Sequence, residues 1–350
     1  MDTEWIYFDA VTGYDKGELN HAAQILRQGG LVAFPTETVY GLGGDGFNPQ
    51  AAKKIYEAKG RPSDNPLILH ISKREELDAI AARIPETAEK LMDAFWPGPM
   101  TLIFEKTKAV PYETTGGLDT VAVRMPSHEG ARQLIERAGV PVAAPSANTS
   151  GRPSPTTAEH VKEDLWGRID MIIDGGLVGI GVESTIIDVT EETPTILRPG
   201  HITKNMIAKV IGTVQMDAGL SGLDQSVKPK APGMKYRHYA PKASMTVIQG
   251  KKEAVIRRIE ELAAEYPKEK VGILAADETL SCYTHGQVVS AGSRNEHTIE
   301  QGLYRALREF DHMGVSVIFS ESFADDDRSE AIMNRLLKAA GQKIEYLSDK

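Results

Sequence analysis

The sequence predicts an α/β protein in two parts, an N-terminal domain built on a twisted, mixed sheet and a small C-terminal Rossmann-like α/β domain. Three observations predict it. At 350 residues the chain exceeds the usual span of one hydrophobic core. Short β-branched runs alternate with amphipathic stretches over most of its length, the pattern of sheets covered by helices. That periodicity lapses between 212 and 232, where Gly, Ser, Asp and Pro dominate as they do in linkers. The domains therefore read as 1–213, a linker over 214–243, and 244–350.

In the first domain, strands are expected at 31–34, 66–71, 101–104, 120–123, 140–144, 170–173, 184–189 and 195–197. Helices are expected at 20–28, 49–59, 85–94, 130–138 and 203–211. The last three strands follow one another with only turns between them, so the order is not a clean β-α-β repeat and the sheet must be mixed. The second domain reads as strand 245–248, helix 252–266, strands 271–275 and 288–290, helix 299–312, strand 315–319 and helix 329–340. Ile299, Leu303, Leu307 and Phe310 fall on one face of its middle helix. This part resembles a three-layer Rossmann-like unit without a Gly-rich fingerprint.

Composition removes several function classes. The apolar fraction of 41% and charged fraction of 25% are those of an ordinary globular protein. No stretch approaches the roughly 18 uncharged apolar residues of a membrane span, and Met1-Asp2-Thr3-Glu4 lacks the basic start of a signal peptide, so no membrane partner and a cytoplasmic location are expected. Cys282 is the single cysteine, and no His/Cys cluster has zinc spacing. A net charge of −9 argues against tight non-specific nucleic-acid binding, which needs Lys and Arg on phosphates. Any RNA contact is expected to be local or transient. The charge is uneven, however, because the linker carries Lys228, Lys230, Lys235, Arg237 and Lys242 against Asp217 and Asp224.

Gly41-Leu42-Gly43-Gly44-Asp45-Gly46 spells G-x-G-x-x-G, but a hydroxyl-rich Thr36-Glu37-Thr38-Val39-Tyr40 separates it from the preceding strand. A dinucleotide fingerprint needs its first glycine at the strand end, so a glycine-rich loop is expected instead. No G-x-x-x-x-G-K-[ST] is present, which leaves phosphate binding to another device. One is Lys59-Gly60-Arg61-Pro62-Ser63-Asp64-Asn65-Pro66: Gly60 caps a helix, and two prolines stiffen the loop that presents the Arg61 fork. Lys59 alone would equally complement a helix C-terminus. His70 interrupts an apolar run, where a histidine is more often a satisfied core residue. Period two in Thr120-Val121-Ala122-Val123-Arg124 places Thr120 and Arg124 on one strand face, within reach of an anion or of an ordinary salt bridge.

After the strand at 140–144 comes Ser146-Ala147-Asn148-Thr149-Ser150-Gly151-Arg152-Pro153-Ser154, a dense row of hydroxyl, amide and guanidinium groups that suits phosphate, ribose or metal-bound water. Caps and turns explain part of it. Gly175 to Gly181 lead into Glu183-Ser184-Thr185 as an anion nest or a plain hairpin, and Arg198-Pro199-Gly200 again holds an Arg beside Pro. The linker closes with Lys235-Tyr236-Arg237-His238-Tyr239, whose aromatic and cationic groups suit stacking over a nucleotide or docking against the second domain.

These segments resemble the YrdC-like threonylcarbamoyl-AMP synthases, known by a K-x-R and S-x-N signature. The likeness rests on Lys59-Gly60-Arg61 and Ser146-Ala147-Asn148, extends through residues 35–42, Glu183-Ser184-Thr185, 197–200 and His238-Tyr239-Ala240-Pro241, and matches the longer two-domain subtype. It implies a YrdC-like catalytic domain and a nucleotidyltransferase that joins ATP, L-threonine and bicarbonate into threonylcarbamoyl-AMP and pyrophosphate, with Mg2+. The product would pass to a separate tRNA threonylcarbamoyl transferase complex. By the same likeness, Thr38, His70, Arg124, Ala144 and Ser184 would line the threonine side, and Arg61, Asn65, Thr120, Ser146, Ser154, Arg198 and His238 would contact ATP. Lys59 and Asn148, with Arg61 and Ser146, would form the catalytic signature. Tyr236, Arg237, His238 and Tyr239 would belong to a lid that excludes water. The competing readings are a non-catalytic RNA-binding module, disfavoured by charge, and an NAD-dependent enzyme, disfavoured by the context of Gly41.

Overall fold

The alternating runs resolve into two units in a computed structural model that describes residues 2–8, 16–221, 230–232, 238–295, 298–324 and 329–348. The first unit comprises Met1–Ser150 and Ser154–Tyr236, and the second comprises Gly151–Pro153 and Arg237–Lys350. Among the described residues no helix is long and apolar enough to cross a membrane.

The first unit runs β1 (Glu4–Tyr7), α1 (Lys16–Arg27), β2 (Val32–Phe34), β3 (Gly41–Asp45), α2 (Pro49–Lys59), β4 (Ile68–His70), α3 (Leu77–Ile80), α4 (Glu86–Phe95), β5 (Met100–Glu105), α5 (Tyr112–Thr115), β6 (Thr120–Arg124), α6 (Glu129–Ala138), β7 (Val142–Ala143), α7 (Ala158–Leu165), β8 (Met171–Asp174), β9 (Thr185–Asp188), β10 (Thr195–Arg198), α8 (Lys204–Ile211) and β11 (Gln215–Met216). Its sheet has the order β1-β8-β2-β3-β7-β4-β6-β5-β9-β10-β11. Parallel pairs such as β4–β6 and β5–β9 alternate with antiparallel pairs such as β6–β5 and β3–β7. The twisted mixed sheet expected from the sequence is therefore present, and the three late strands divide between its two halves, β8 on one side and β9 and β10 on the other.

Strand periodicity assigns the two faces. Leu69, Leu102, Phe104, Val121, Val123 and Ile187 turn to one side, where they pack with Ile55 of α2, Leu91 and Met92 of α4 and Val161 of α7. On the other side, Val32, Phe34, Val142, Ala144, Met171 and Ile173 pack under α1 and α6 through Leu19, Ala22, Leu26, Leu134 and Ile135. That cover serves one half of the face. On the other half, the same face of β4, β6, β5 and β9 carries Ile68, Ala122, Ile103 and Ile186, a separate apolar cluster with Leu197 and Ala231.

Residues 41–45 correct the sequence reading, since they form a buried strand rather than a loop. Glycine there serves packing. A Cβ on Gly43 would lie 2.8 Å from both Phe34 Cε1 and Val142 Cγ1, and one on Gly41 would lie 3.3 Å from the Ala144 methyl group. The central strand therefore has no room for side chains on that face, and its glycines say nothing about a dinucleotide.

The second unit runs β12 (Ser244–Gln249), α9 (Lys252–Ala263), β13 (Val271–Ala276), β14 (Gln287–Gly292), α10 (Ile299–Met313), β15 (Val317–Glu321), α11 (Ser329–Ala339) and β16 (Ile344–Tyr346). Its strands are all parallel in the order β14-β13-β15-β12-β16. Val255, Ile259 and Ala263 of α9 pack on the face that carries Ile248, Ile273 and Phe319. Phe310 of α10 lies against Gly272, on the opposite face. Buried along their whole length, the inner strands β13 and β15 are nearly continuous apolar runs, and the Rossmann-like expectation stands.

Candidate active site

The polar groups singled out in the sequence gather where the helical cover of the first unit stops. The α2 terminus explains the first of them. Asn48 caps its start by accepting from the Gln50 amide at 2.9 Å. Gly60 ends it in the left-handed region, φ 60°, donating to the Glu57 carbonyl while the Arg61 amide returns to the Tyr56 carbonyl at 2.9 Å. That reversal buries Lys59 and sends Arg61 outward. The Lys59 ammonium, 1% exposed, donates to the carbonyls of Ser146 and Asn148, and the Ser150 amide donates to the Lys59 carbonyl at 2.9 Å. Helix end and turn are thus clamped together by side chain and main chain. Within the turn the Ser146 hydroxyl donates to Asn148 Oδ1 at 2.6 Å.

Arg61 folds over its own loop, with Nε donating to the Asn65 carbonyl at 3.2 Å and Nη2 to the Pro66 carbonyl at 3.0 Å. The Tyr56 hydroxyl donates to the Asn65 carbonyl at 3.2 Å, and burial pushes its phenol up to about 12. The Asn65 side chain is buried, and its Oδ1 has no hydrogen-bond partner among the described residues.

A second group forms by register. His70 is paired with Arg124, and Arg124 with Thr101, across β4, β6 and β5, so the three stand in one row on the face that also carries Ile68, Ala122 and Ile103. Arg124 donates to Thr38 Oγ1 at 2.9 Å and to the Gly98 carbonyl at 3.3 Å, and it forms an ion pair with Glu37 at 2.7 Å. Side-chain exposures of 4% and 13% make this a buried pair. Although burial alone would raise it, the Arg124 charge holds the Glu37 carboxyl below its ordinary range. Burial and then the same guanidinium push His70 down to about 3, so its imidazole is neutral at neutral pH and adds no second positive charge beside Arg124.

The Thr36–Tyr40 segment joins the two groups. The Ile180 and Gly181 amides donate to the Glu37 and Thr38 carbonyls at 2.8 and 2.9 Å, and the Ala147 amide donates to the Tyr40 carbonyl at 2.8 Å. Ala144 sits beside them, its amide donating to the Ile68 carbonyl at 2.9 Å.

At the β9 end the Ser184 hydroxyl lies 2.7 Å from Thr101 Oγ1 and accepts from Arg198 Nη2 at 3.2 Å, while Arg198 Nε donates to the Ser184 carbonyl at 3.0 Å. An irregularity in β10 between Ile196 and Arg198 re-aims that arginine. Ser154 donates to the Glu183 carboxylate. Residues 230–232 lie along the same face: Ala231 is buried in the apolar cluster, Arg198 Nη1 donates to the Pro232 carbonyl at 3.4 Å, and Lys230 pairs with Glu191 at 2.9 Å.

The structure thus brings Thr38, His70, Arg124, Ser184 and Arg198 together, and places Lys59, Ser146 and Asn148 in a neighbouring clamp stitched to them. Arg61 and Asn65 share their own loop. Thr120 lies half-buried at the far end of β6, about 13 Å along the strand from Arg124. Tyr236 and Arg237 lie outside the described residues. His238 and Tyr239 belong to the second unit, where Tyr239 stacks on Tyr304 at 5.2 Å and beneath Arg335 at 5.9 Å. Two contributors escaped the sequence reading, Glu37 and Thr101. Each is a polar residue inside a segment already singled out, and only the cross-strand register shows what it touches.

Two consequences are measurable. A Cβ on Gly200 would meet main chain, 2.4 Å from the Thr185 nitrogen. Gly200→Ala is expected to cost about 1–3 kcal/mol by overpacking and to spread the Arg198–Ser184 contacts; urea unfolding with wild-type stability would refute this close approach. For His70 the sign runs toward acid. Its folded-state value lies below the ordinary one, so the folded chain binds fewer protons between about pH 3 and 6.5, and stability is complete above that window. It falls as pH drops, by up to about 1.4 kcal/mol per pH unit. His70→Gln should flatten that slope in denaturation measured between pH 7 and 5, and an unchanged slope would show that His70 is not buried as a neutral ring.

Comparison with known proteins places these residues in a family context. Residues 24–200 match the Sua5/YciO/YrdC family, described as telomere recombination, and residues 202–341 match the threonylcarbamoyl-AMP synthase C-terminal domain. The chain is 50% identical over 332 residues to a threonylcarbamoyl-AMP synthase of Pyrococcus abyssi, covering 94% of this chain and 96% of that protein. It is 51% identical over 331 residues to one from Bacillus subtilis, covering 93% and 94%. A crystal structure of P. abyssi Sua5 complexed with L-threonine superposes with a TM-score of 0.93 at 47% identity, covering 99% of this chain and all (100%) of that one.

Proposed function

We propose, from the premise that this chain belongs to the threonylcarbamoyl-AMP synthase family, that the Arg124 face of its mixed sheet receives L-threonine and that the Lys59 and Arg61 segments receive the phosphates of ATP. The chain is an enzyme that makes L-threonylcarbamoyladenylate from L-threonine, bicarbonate and ATP, releasing pyrophosphate. The observation that carries the assignment is Arg124. A buried guanidinium, held on three sides by Thr38, Glu37 and the Gly98 carbonyl, is a rigid receptor for a carboxylate. A neutral His70 and the hydroxyls of Thr38 and Ser184 supply donors and acceptors for the amino acid's other polar groups. Beside them the apolar row of Ile68, Ala122 and Ile103 suits its methyl group.

In the reaction, the threonine amine attacks bicarbonate and water leaves to give a carbamate, and a carbamate oxygen then attacks the α-phosphorus and displaces pyrophosphate. Negative charge accumulates where the two substrates meet, and Arg61, Arg198 and the ordered donors of the Ser146–Asn148 turn lower that barrier by fixed electrostatics and positioning. Such chemistry needs no covalent protein nucleophile. Magnesium would enter with the nucleotide. Bound through phosphate oxygens and water beside the Ser146–Asn148 turn, the ion would neutralise phosphate charge. Ser154, Thr120 and Asn65 complete the proposed nucleotide contacts. The segment around 230–241, His238 included, is proposed to shield the hydrolysable carbamate and adenylate from water. Action in the cytoplasm, and transfer of the adenylate to a tRNA-modifying transferase, belong to the same proposal.

Arg61→Ala separates this reading from a scaffold role. Its guanidinium makes loop contacts at the surface of the unit, so the variant should keep its circular dichroism spectrum and lose at least about 100-fold in threonine-dependent pyrophosphate release. Retained release from a folded variant would remove Arg61 from the phosphate site.

A further inference from the structure

The second unit has a crevice lined by its own residues. All five strands are parallel, so their carboxyl ends lie along one edge of the sheet. The connection leaving β12 is α9, on the face of Ile273 and Phe319. The connection leaving its neighbour β15 is α11, which packs with α10, the helix on the opposite face. Adjacent strands whose outgoing connections part to opposite faces leave an opening between the loops at their carboxyl ends, where open α/β sheets hold ligands. At that place lies a cavity of about 260 Å³, lined by Gly250, Lys252, Val255, Glu278, Thr279, Arg294, Glu321 and Ser322.

The lining is chemically divided. At one wall α9, 12 residues long, begins with Lys251 at the N-cap and Lys252 at its first position. Lysine has no acceptor to offer the first-turn N–H groups, and two cations at the positive end of a helix dipole are an unfavourable choice for stability alone, only partly offset by Glu253. An anion at that end would satisfy the amides and offset the charge. The opposite wall carries acceptors. Glu321, 3% exposed, takes hydrogen bonds from the Tyr283 hydroxyl at 2.7 Å and from Arg294 at 3.0 Å. Glu278 takes them from the Ser293 hydroxyl at 2.6 Å and the Arg294 and Asn295 amides at 3.2 and 3.1 Å; against the cost of burial these bonds hold its carboxyl down at about 2, so it is an anion at any working pH. Two carboxylates with Arg294 between them make a poor cage for a divalent cation, and a simple anion would be repelled by that wall.

We propose that this crevice binds a ribose-phosphate group, its phosphate on the first turn of α9 beside Lys252 and its sugar hydroxyls donating to Glu278 and Glu321. The cavity volume suits a ligand no larger than a mononucleotide, which makes the second unit a receptor for a small phosphorylated metabolite, independent of the chemistry of the first. The group could come from a nucleoside monophosphate or from a free sugar phosphate, and two probes tell them apart. In hydrogen–deuterium exchange mass spectrometry on the full chain, millimolar AMP or ribose 5-phosphate is expected to slow exchange in peptides spanning 249–256 and 317–322. Response to both probes identifies a sugar-phosphate site, and response to AMP alone a nucleotide site. Lys252 is exposed, so Lys252→Glu should fold, retain threonine-dependent turnover, and weaken the response in the second unit by at least about tenfold. Glu278→Gln should weaken it as well. No change in these peptides with either probe, or an equal change in Lys252→Glu and wild type, would overturn the proposal, whatever the first unit does with AMP.

Discussion

Arg124→Ala is expected to abolish threonine-dependent turnover and to destabilise the fold together, for one physical reason. Arg124 is the partner of a carboxylate that is itself buried, with the pair 2.7 Å apart. Truncating the arginine leaves Glu37 charged and uncompensated, which costs about 3–5 kcal/mol when one partner of a buried pair is removed. The same truncation deletes the proposed receptor for the threonine carboxylate, a loss of at least about 100-fold in kcat/KM. The two losses are separable. In Arg124→Ala with Glu37→Ala no charge is stranded, so urea unfolding should recover much of the lost stability while turnover stays absent. If the double variant is no more stable than Arg124→Ala, the pair does not act as described. If turnover returns with stability, Arg124 serves the fold alone.

Lys59→Met is expected to have the second largest effect, and by a different route. The ammonium is buried against the Ser146 and Asn148 carbonyls. Methionine fills the volume but leaves those acceptors without their donor, at about 1–3 kcal/mol for each buried group left unmade. The turn they belong to holds the Ser146 hydroxyl and the Asn148 amide 2.6 Å apart, and a displacement of about 1 Å in such a constellation costs on the order of 100-fold in rate. Because Lys59 positions other groups, the loss should fall mainly on kcat, with KM for threonine near wild type. Lys59→Arg should not rescue it, since a planar fork cannot replace a compact ammonium between two carbonyls. A variant that changes only KM for ATP would instead show Lys59 acting directly on the nucleotide.

How much of this could be read from the sequence depends on how local the cause was. The α2 terminus was legible because Asn48, Pro49 and Gly60 are cap residues whose meaning does not depend on the rest of the chain. Arg124 on a strand face followed from period two. Beyond that, the site depends on register. That His70, Arg124 and Thr101 share one row is set by pairing across β4, β6 and β5, two neighbours of which are parallel and distant in sequence. Glu37 was passed over because nothing in Thr36-Glu37-Thr38 marks it for burial; its role comes from a guanidinium 87 positions later in the chain. The glycines of β3 misled for the opposite reason, since glycine chosen for close packing beneath Phe34 and Val142 looks the same in sequence as glycine chosen for a loop. The short edge strands β1 and β16 went unread because edge strands bury little, and Ile6 is the buried residue of β1.

In the proposed reaction one sheet face unites threonine with bicarbonate and the α-phosphate of ATP. Incubating the purified chain with ATP, threonine and ¹³C-bicarbonate, and following the mixture by mass spectrometry, tests it most directly. The expected product is an adenylate whose mass carries both threonine and one labelled carbon, formed with pyrophosphate and absent from Arg124→Ala. Pyrophosphate released without such a product, or a product formed equally without threonine, would contradict it.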